Sequence, residues 1–384
     1  TETCQSLLEA VNRVVAKATG AELPKKPSKN ASLPWVGADP EIHPDDVVAE
    51  IETDVIVVGC GVAGTVATRS AAEEGADVVV IEKAAGPQCR SGEYAVINGK
   101  VQARWGRDVY DPDQITDRFV RECAYRNKRP IVAKWAHNCA DVFDWFIAAK
   151  PDMHICETSS SDVPDESKDL FLEPLYYPLP PHYDWTKEPF PTIPTSVHFM
   201  PDQTGIIMAN MDKAMGTGKV TAYWGHFVEK LIKDDNRVTG VFARDAKTGK
   251  YIKVSARKGV ILATGEYGSN KEIVDYYVPE ISENGVKSVW LNRDVEGNLT
   301  NTGDGLKMGA RIGAAIQQNH APMTHHMGGP FGMGGALGIA PFLFLNRDGK
   351  RFMNEDVPGQ QVENQLEMQP ERRCYQIFDS RWRE

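Results

Sequence analysis

The sequence has no pair of cysteines separated by two residues, and this absence excludes several classes of cofactor site. Zinc ribbons and iron–sulfur clusters use such pairs, and a c-type haem needs a Cys-x-x-Cys-His segment. An odd number of cysteines without evident pairing is typical of a protein in a reducing compartment. The sequence therefore predicts no metal site and a cytoplasmic location, with export of a mature form left open. The seven cysteines are scattered: Cys4, Cys60, Cys89, Cys123, Cys139, Cys156 and Cys374.

Long apolar runs and an excess of positive charge are also missing. No run approaches the roughly eighteen apolar residues that would span a membrane, and the N-terminus lacks a basic segment followed by an apolar one. The formal net charge is −10, from 53 acidic and 43 basic residues, so the chain lacks the basic footprint of a nucleic-acid-binding protein. We expect neither a transmembrane protein nor a nucleic-acid partner.

Apolar residues are abundant enough for a large core, since they make up 41% of the 384 residues. Apolar spacing predicts an amphipathic helix over residues 5–18, and five prolines in residues 19–50 indicate a linker or surface-hugging arm. Regular structure is expected from about Asp54. Three later segments are a helical stretch over 112–150, a long irregular insertion over 157–196, and a hairpin that feeds a further strand over 236–264.

A strand, a glycine turn, a helix and a second strand follow one another from Asp54. The apolar run 54–58 leads into Gly-Cys-Gly-Val-Ala-Gly, and the second apolar run ends in Glu82. In such a motif Gly59 permits a tight turn, Gly61 lets the backbone approach a pyrophosphate, and Gly64 lets the helix pack on the strand. Glu82 lies where an acid binds an adenosine ribose. A glycine turn without a ligand is the alternative, but the complete set of elements favours a dinucleotide, either NAD or FAD.

Three further motifs separate these two cofactors. They are Ile-Leu-Ala-Thr-Gly at 261–265, Asn-Thr-Gly-Asp-Gly-Leu-Lys-Met at 301–308, and Phe-Leu-Asn-Arg-Asp-Gly-Lys-Arg-Phe-Met-Asn-Glu at 344–355. In this order the chain, from about Thr53 to Arg383, resembles the flavoproteins of the fumarate reductase and succinate dehydrogenase family. It is most similar to the soluble fumarate reductase-like branch, which includes urocanate reductase-like and ketosteroid dehydrogenase-like enzymes. The resemblance implies FAD and an α/β fold, with a Rossmann-like FAD-binding domain and an inserted α+β capping domain.

The resemblance also assigns the cofactor contacts. The glycine turn and the Thr-Gly pair at 264–265 are placed at the pyrophosphate, Val228 at the adenine and Asp304 close to the flavin. Without the resemblance, Asp304 is a turn residue that satisfies its own backbone. The predicted FAD-binding residues are Gly59, Gly61, Ala63, Gly64, Glu82, Lys83, Arg90, Ser91, Val228, Thr264, Gly265 and Asp304.

The segment 90–99 matches the family loop that passes the flavin ring. Respiratory members carry there a histidine that is covalently bound to FAD. Gly92 falls on that position, and glycine cannot form the bond. The sequence therefore predicts a non-covalent flavin.

The expected substrate cleft departs further from the family pattern. His325 falls on the histidine that binds a substrate carboxylate, whereas glycines occupy the positions of the Thr-Glu pair and of two arginines. A cleft without these charges suits a bulkier and less charged substrate than fumarate. His325 and Tyr267 are the candidate catalytic residues; their alternatives are a solvated loop histidine and a packing aromatic. The glycines are Gly334, Gly335, Gly338 and Gly359.

These observations predict three regions: an N-terminal helix and arm over 1–50, an FAD-binding domain over 51–320, and the start of a capping domain over 321–384 that continues beyond the chain or in a second polypeptide. The expected reaction is hydride transfer between flavin N5 and an activated carbon–carbon double bond of a small unsaturated substrate, with an electron-donor protein or a reduced carrier as partner. A ketosteroid-type dehydrogenase and an electron-transfer subunit of a larger complex are the alternatives.

Overall fold

The computed structural model describes residues 33–89, 92–104, 110–123, 125–156, 196–200, 202–279, 292–317, 343–355, 365–366, 368–377 and 379–380. The strands are β1 (Val47–Val58), β2 (Val78–Glu82), β3 (Glu93–Ala95), β4 (His154–Cys156), β5 (Ser196–Met200), β6 (Val220–Trp224), β7 (His226–Asp234), β8 (Arg237–Asp245), β9 (Tyr251–Leu262), β10 (Leu343–Asn346) and β11 (Cys374–Ile377). The α-helices are α1 (Val62–Glu73), α2 (Lys100–Arg104), α3 (Pro112–Glu122), α4 (Arg129–Ile147), α5 (Thr204–Gly216), α6 (Lys271–Tyr277) and α7 (Asp304–Arg311). Short 3-10 turns lie at Pro34–Val36, Pro44–Asp46 and Pro370–Arg372.

Within these residues, the largest sheet has six strands in the order β6-β2-β1-β9-β8-β7. The first four strands are mutually parallel, and β9, β8 and β7 continue the sheet as antiparallel neighbours. Every residue of β2 is buried, as expected for a parallel strand covered on both faces. The carboxyl ends of β1, β2 and β9 meet at one edge, where such sheets bind ligands. The sheet confirms the predicted α/β class and the Rossmann-like arrangement.

Strand β1 begins at Val47 rather than near Asp54, so the expected start of regular structure was wrong. Residues 47–53 pair with the first half of β9, which extends the sheet beyond the dinucleotide motif. The expected hairpin at 236–264 is confirmed, but its last two predicted strands are one continuous strand, β9. Residues 251–255 of β9 pair with β8 on one side, while the whole strand pairs with β1 on the other.

The helical stretch predicted over 112–150 consists of two helices, α3 and α4. Asp111 caps α3 by accepting a hydrogen bond from the Asp113 N–H at 2.9 Å. Helix α4 packs its aromatic side chains against a small antiparallel sheet in the order β3-β5-β4. Tyr94 of β3 lies between Phe143 and Phe146 of α4 and Phe199 of β5, with ring centroids 5.3–5.7 Å apart. These rings form a second core beside the large sheet.

A buried polar cluster joins helices α1, α4 and α5. The Arg69 guanidinium donates to the Asn210 side-chain oxygen at 2.7 Å and to the Trp145 carbonyl at 3.1 Å. Its Nε donates to Glu73 at 2.7 Å, and the guanidinium stacks on the Trp145 ring at 3.8 Å. Since Arg69 is 5% exposed, these partners compensate for the loss of its hydration. The cluster fixes the helix that follows the glycine turn.

The third family motif folds into a turn after β10. Glu355 is buried and accepts hydrogen bonds from the Phe344 N–H at 3.0 Å and from the Arg351 guanidinium. Burial alone would raise the pKa of Glu355, but these hydrogen bonds outweigh it and lower the pKa below its usual value. The motif therefore has a structural role in this part of the chain.

Several predictions fall outside the described residues. They are the helix over 5–18, most of the insertion over 157–196, and the beginning of the capping region over 321–342, so the three-region division stays a prediction. Among the residues that are described, no helix is long and apolar enough to cross a membrane.

Candidate cofactor-binding site

The glycine turn after β1 has the close backbone contacts that its motif implies. Gly59 has φ +92°, and a Cβ on it would lie 2.4 Å from the Ala263 carbonyl oxygen. A Cβ on Gly64 would lie 1.9 Å from the Gly59 carbonyl oxygen, so Gly64 allows α1 to pack on the turn. Gly61 is the N-cap of α1 and supplies no side-chain hydrogen bond to the first helical turn. The N–H groups of that turn remain available to an anion.

Glu82, at the end of β2, is held against this turn. One carboxylate oxygen accepts the Cys60 N–H at 2.7 Å, and the other accepts the Ala84 N–H at 2.8 Å. The residue is only 7% exposed, yet it lines the cavity. Each carboxylate oxygen has more than one acceptor position, so these bonds leave room for a ribose hydroxyl. The predicted ribose contact stays a prediction, and the structure puts Glu82 in position for it.

A cavity of about 650 Å³ lies at the carboxyl edge of the sheet. This volume is in the range of small-molecule and cofactor sites. The structure brings together eight of the predicted FAD-binding residues on its wall: Gly59, Gly61, Glu82, Lys83, Val228, Thr264, Gly265 and Asp304.

The other predicted site residues lie elsewhere. Gly64 is buried beneath the turn, and Ala63 is exposed on α1 but is not part of the cavity wall. Arg90, Ser91 and His325 lie outside the described residues.

Asp304 makes an ion pair across the cavity wall. Its carboxylate lies 2.8 Å from the Lys83 ammonium, which also donates to the Thr302 hydroxyl at 3.0 Å. The Thr302 hydroxyl in turn donates to Asp304 at 2.9 Å. Because Asp304 bonds to the residue that follows Glu82, the Asn-Thr-Gly-Asp motif is tied directly to the end of β2. The alternative, in which the Asp304 side chain bonds only to the backbone of its own turn, does not match these contacts.

The turn after β9 continues the same wall. Gly265 has φ +72°, and a Cβ on Gly305 would lie 2.0 Å from the Thr264 hydroxyl oxygen, so α7 packs tightly on this turn. Tyr267 is 3% exposed and packs in an apolar cluster with Trp35 and Ile273. It does not line the cavity, and burial raises the pKa of its phenol. The geometry gives Tyr267 a packing role.

Glu266 is a cavity residue that sequence reasoning missed. It accepts hydrogen bonds from the Asn301 side chain at 2.6 Å and from the Gly268 N–H. Burial raises the pKa of its carboxyl above the usual value. The hydrogen bonds favour the charged form and lower the pKa, but burial has the larger effect. Its place directly after the Ala-Thr-Gly segment was the available signal, because that turn was already expected to face the cofactor.

The other end of the cavity is built on β7. Val228 and Glu229 line it, and the Arg244 Nε donates to Glu229 at 2.8 Å while its guanidinium lies 4.7 Å from the Phe227 ring. The Tyr251 hydroxyl donates to the other Glu229 oxygen at 2.6 Å, and burial together with this carboxylate raises the pKa of Tyr251 to about 12. These contacts fix the strand on which the adenine contact of Val228 is expected.

These features fit a dinucleotide. The close approach of Gly59 and Ala263, the uncapped start of α1, and the buried Glu82 carboxylate surround one continuous cavity. A pyrophosphate needs N–H donors at a helix N-terminus, and a ribose needs an acceptor at the end of the next strand. The fold and site thus define a dinucleotide-binding α/β protein.

Comparison with known proteins identifies the family. The family model described as an FAD binding domain matches residues 54–380, and the chain belongs to this family. The match confirms the predicted flavoprotein resemblance. The first expected motif, the strand and glycine turn from Asp54, stands at the beginning of the matched region.

Similar proteins include two curated enzymes. A probable fumarate reductase of Shewanella frigidimarina is 24% identical over 335 residues, which cover 85% of this chain and 50% of that protein. A 3-oxosteroid 1-dehydrogenase of Mycolicibacterium smegmatis is 26% identical over 364 residues, covering 80% of this chain and 62% of that protein. The chain therefore spans only about half to three fifths of the length of these relatives.

A solved structure supports the fold. The 3-ketosteroid-Δ4-(5α)-dehydrogenase of Rhodococcus jostii, solved with 4-androstene-3,17-dione, matches with a TM-score of 0.61. Its sequence identity is 20%, and the match covers 90% of this chain and 70% of that chain. At this identity the likeness concerns the arrangement of helices and strands.

Proposed function

We propose that the protein is an FAD-dependent oxidoreductase that acts on carbon–carbon bonds, reducing an activated alkene such as an enone or an acrylate-like compound. The observation that carries the proposal is the single cavity that joins the glycine turn, Glu82 and the Ala-Thr-Gly turn in a chain of the FAD binding domain family. The similar curated proteins, a fumarate reductase and a 3-oxosteroid 1-dehydrogenase, support the choice of bond.

In this proposal the bound flavin supplies the hydride chemistry, and the chain supplies binding and orientation. The first turn of α1 binds the pyrophosphate, and Glu82 binds the ribose. Lys83 offers a positive charge beside the cofactor and is held in place by Asp304. The proposed substrate-facing group is His325, which falls on the family position that binds a substrate carboxylate.

The substrate of the proposal is not fumarate. Two carboxylates inside a cleft each require a partner, because a buried and unpaired charge is costly. The sequence has glycine at the four positions expected to supply the Thr-Glu pair and the arginines: Gly334, Gly335, Gly338 and Gly359. Loss of a general acid typically costs about 10²–10⁴-fold in rate, so the absence of the arginine donor alone predicts poor fumarate turnover.

The test is reoxidation of the photoreduced protein under argon, followed by stopped-flow absorbance. Enones and acrylates should reoxidise it rapidly, and fumarate should do so slowly. Fast reoxidation by fumarate with none by the other alkenes would refute the proposed substrate class. No reoxidation by any alkene would favour an electron-transfer subunit that acts on no substrate of its own.

We also propose that the FAD is bound non-covalently, since Gly92 occupies the position of the covalent histidine. Gly92 is buried next to β3, and its carbonyl accepts the Phe199 N–H at 3.1 Å. Acid precipitation of the purified holoprotein should release the flavin into the supernatant. Yellow colour that stays in the washed pellet would contradict this.

A ketosteroid-type dehydrogenase is the second candidate, and the sequence match to 3-oxosteroid 1-dehydrogenase favours it specifically. The same site then runs in the opposite direction, from a saturated carbon–carbon bond to the flavin. Anaerobic bleaching of the oxidised flavin by a saturated 3-ketosteroid would support this candidate. The electron donor is proposed to be a protein or a reduced carrier, and the location is proposed to be cytoplasmic.

A further inference from the structure

Residues 33–46, which we call the N-terminal arm, precede the part of the chain that the family model matches, 54–380. The prolines of this region indicate either a linker or a surface-hugging arm, and the structure shows the second: the arm is docked on the domain. Trp35 is 1% exposed and Val36 is 8% exposed. Trp35 packs in the apolar cluster that contains Tyr267 and Ile273, the residues just beyond the turn after β9. A segment that buries a tryptophan this completely is part of the folded domain.

Polar contacts hold the arm to two walls of the cavity. The Arg311 Nε, at the end of α7, donates to the Val36 carbonyl at 3.1 Å. Asp39 lies 3.9 Å from Arg311 and 3.9 Å from Lys230 of β7. Further along, Asp46 pairs with Lys250 at 2.6 Å. The arm is therefore fixed at both ends and bridges α7 and β7.

Between these anchors the arm reaches the cavity itself. Gly37 has φ +65° and turns the chain after the 3-10 turn that carries Trp35. Ala38 and Pro40 then line the cavity, as do Arg311 and Val228. This is the end built on β7, where the adenine contact is expected. Ala38 is exposed and Pro40 half-buried, so both face open space.

We infer that the N-terminal arm closes the adenosine end of the FAD cavity, with Ala38 and Pro40 as contacts to the adenine or its ribose. The inference rests on the FAD binding proposed above and adds a part of the site that precedes the dinucleotide motif. The small side chain of Ala38 and the rigid ring of Pro40, on either side of Asp39, offer apolar groups to the cavity, and such groups suit contact with the face of a base. Trp35, Asp39 and Arg311 position this surface.

The test uses a pair of matched tryptophan substitutions in the full chain. Ala38→Trp places a large side chain in the adenosine end, whereas Glu41→Trp places the same side chain on an exposed arm residue that does not line the cavity. Isothermal titration with FAD and, separately, with ADP measures both affinities. We expect Ala38→Trp to weaken both by at least about tenfold and by similar factors, and Glu41→Trp to leave both unchanged. Circular dichroism and the melting temperature without ligand verify folding.

Three outcomes would overturn the inference: unchanged FAD affinity in Ala38→Trp, a loss of FAD affinity without loss of ADP affinity, or an equal loss in Glu41→Trp. Failure of the wild-type protein to bind FAD would reject the proposed function itself.

A second measurement needs no substitution. Glutamyl endopeptidase should cleave the arm at exposed Glu41, and ADP should slow this cleavage several-fold; an unchanged rate would also contradict the inference.

Discussion

The Glu82 carboxylate accepts the Cys60 N–H at 2.7 Å, and this bond joins the end of β2 to the middle of the glycine turn. The second oxygen accepts the Ala84 N–H, so the carboxylate is fixed from both sides. Cys60 is fully buried, and its N–H has no access to water. Glu82 therefore has two duties: it holds the turn in shape, and it presents the remaining acceptor positions to the cavity.

Replacement of Glu82 by glutamine should weaken FAD binding strongly. The glutamine side chain has no charge, and its NH₂ group would face one of the two backbone N–H groups that the carboxylate accepts. A hydrogen bond to a charged group is worth about 1.5–3 kcal/mol, so the loss should be large. The helix period places Glu73 on a solvated face, but it accepts hydrogen bonds from Arg69 and Trp145 and is a poor control. Exposed Glu74→Gln is the better one. Titration of FAD by fluorescence quenching measures the difference, and equal affinities in the two variants would contradict the assignment.

Gly64→Ala should disrupt the glycine turn. The new Cβ would lie 1.9 Å from the Gly59 carbonyl oxygen, and since that atom is backbone, the turn or α1 must shift. Overpacking of this kind typically costs about 1–3 kcal/mol. Gly86→Ala is the matched control, since a Cβ there meets nothing within 4 Å. Urea unfolding and FAD titration should show a loss for Gly64→Ala alone; wild-type behaviour of both variants would mean that the turn tolerates the change.

The dinucleotide turn was predictable because its signals are local. Strand, glycines, helix and acid all lie within residues 54–82, and each residue type is required by the backbone at its own position. The length of β9 was not predictable in this way. The polar residues between its two apolar segments resemble a turn, but pairing with β1 over the whole length keeps the strand continuous. Tertiary pairing thus overrode the local pattern.

The burial of Trp35 and the environment of Glu266 were not predictable from the sequence for a related reason. Trp35 is buried by residues more than two hundred positions away in the sequence, and nothing next to it indicates this partner. Glu266 was not singled out from the sequence, because the Asn301 side chain and the partial burial that give it a distinct environment come from the folded structure. Both features depend on which distant segments meet at the carboxyl edge of the sheet.

Cys60 should resist alkylation although it lies within the glycine turn. Burial raises the pKa of its thiol to about 11, and the side chain is fully buried beside Thr65. Since the thiolate is the reactive form, iodoacetamide at pH 8 should modify exposed Cys123 at least about tenfold faster. Peptide mapping by mass spectrometry measures both rates. In urea the two cysteines should react alike, and comparable rates in the folded protein would contradict the buried position of Cys60.

Glu266 should make the folded protein less stable as the pH rises. Burial raises its pKa in the folded state above the ordinary value of 4.5, so between these two values the folded state binds more protons than the unfolded state. The free energy of unfolding then falls with pH through this window, and the loss is complete above the folded-state pKa.

Glu266→Gln removes the contribution of this carboxyl to the pH dependence. Urea unfolding of wild type and Glu266→Gln at pH 4 and pH 7 should therefore show the variant gaining stability relative to wild type at the higher pH. Glu74 is exposed, so the control variant Glu74→Gln should show no such gain. A constant difference between wild type and Glu266→Gln at the two pH values would mean that the half-buried Glu266 carboxyl titrates normally.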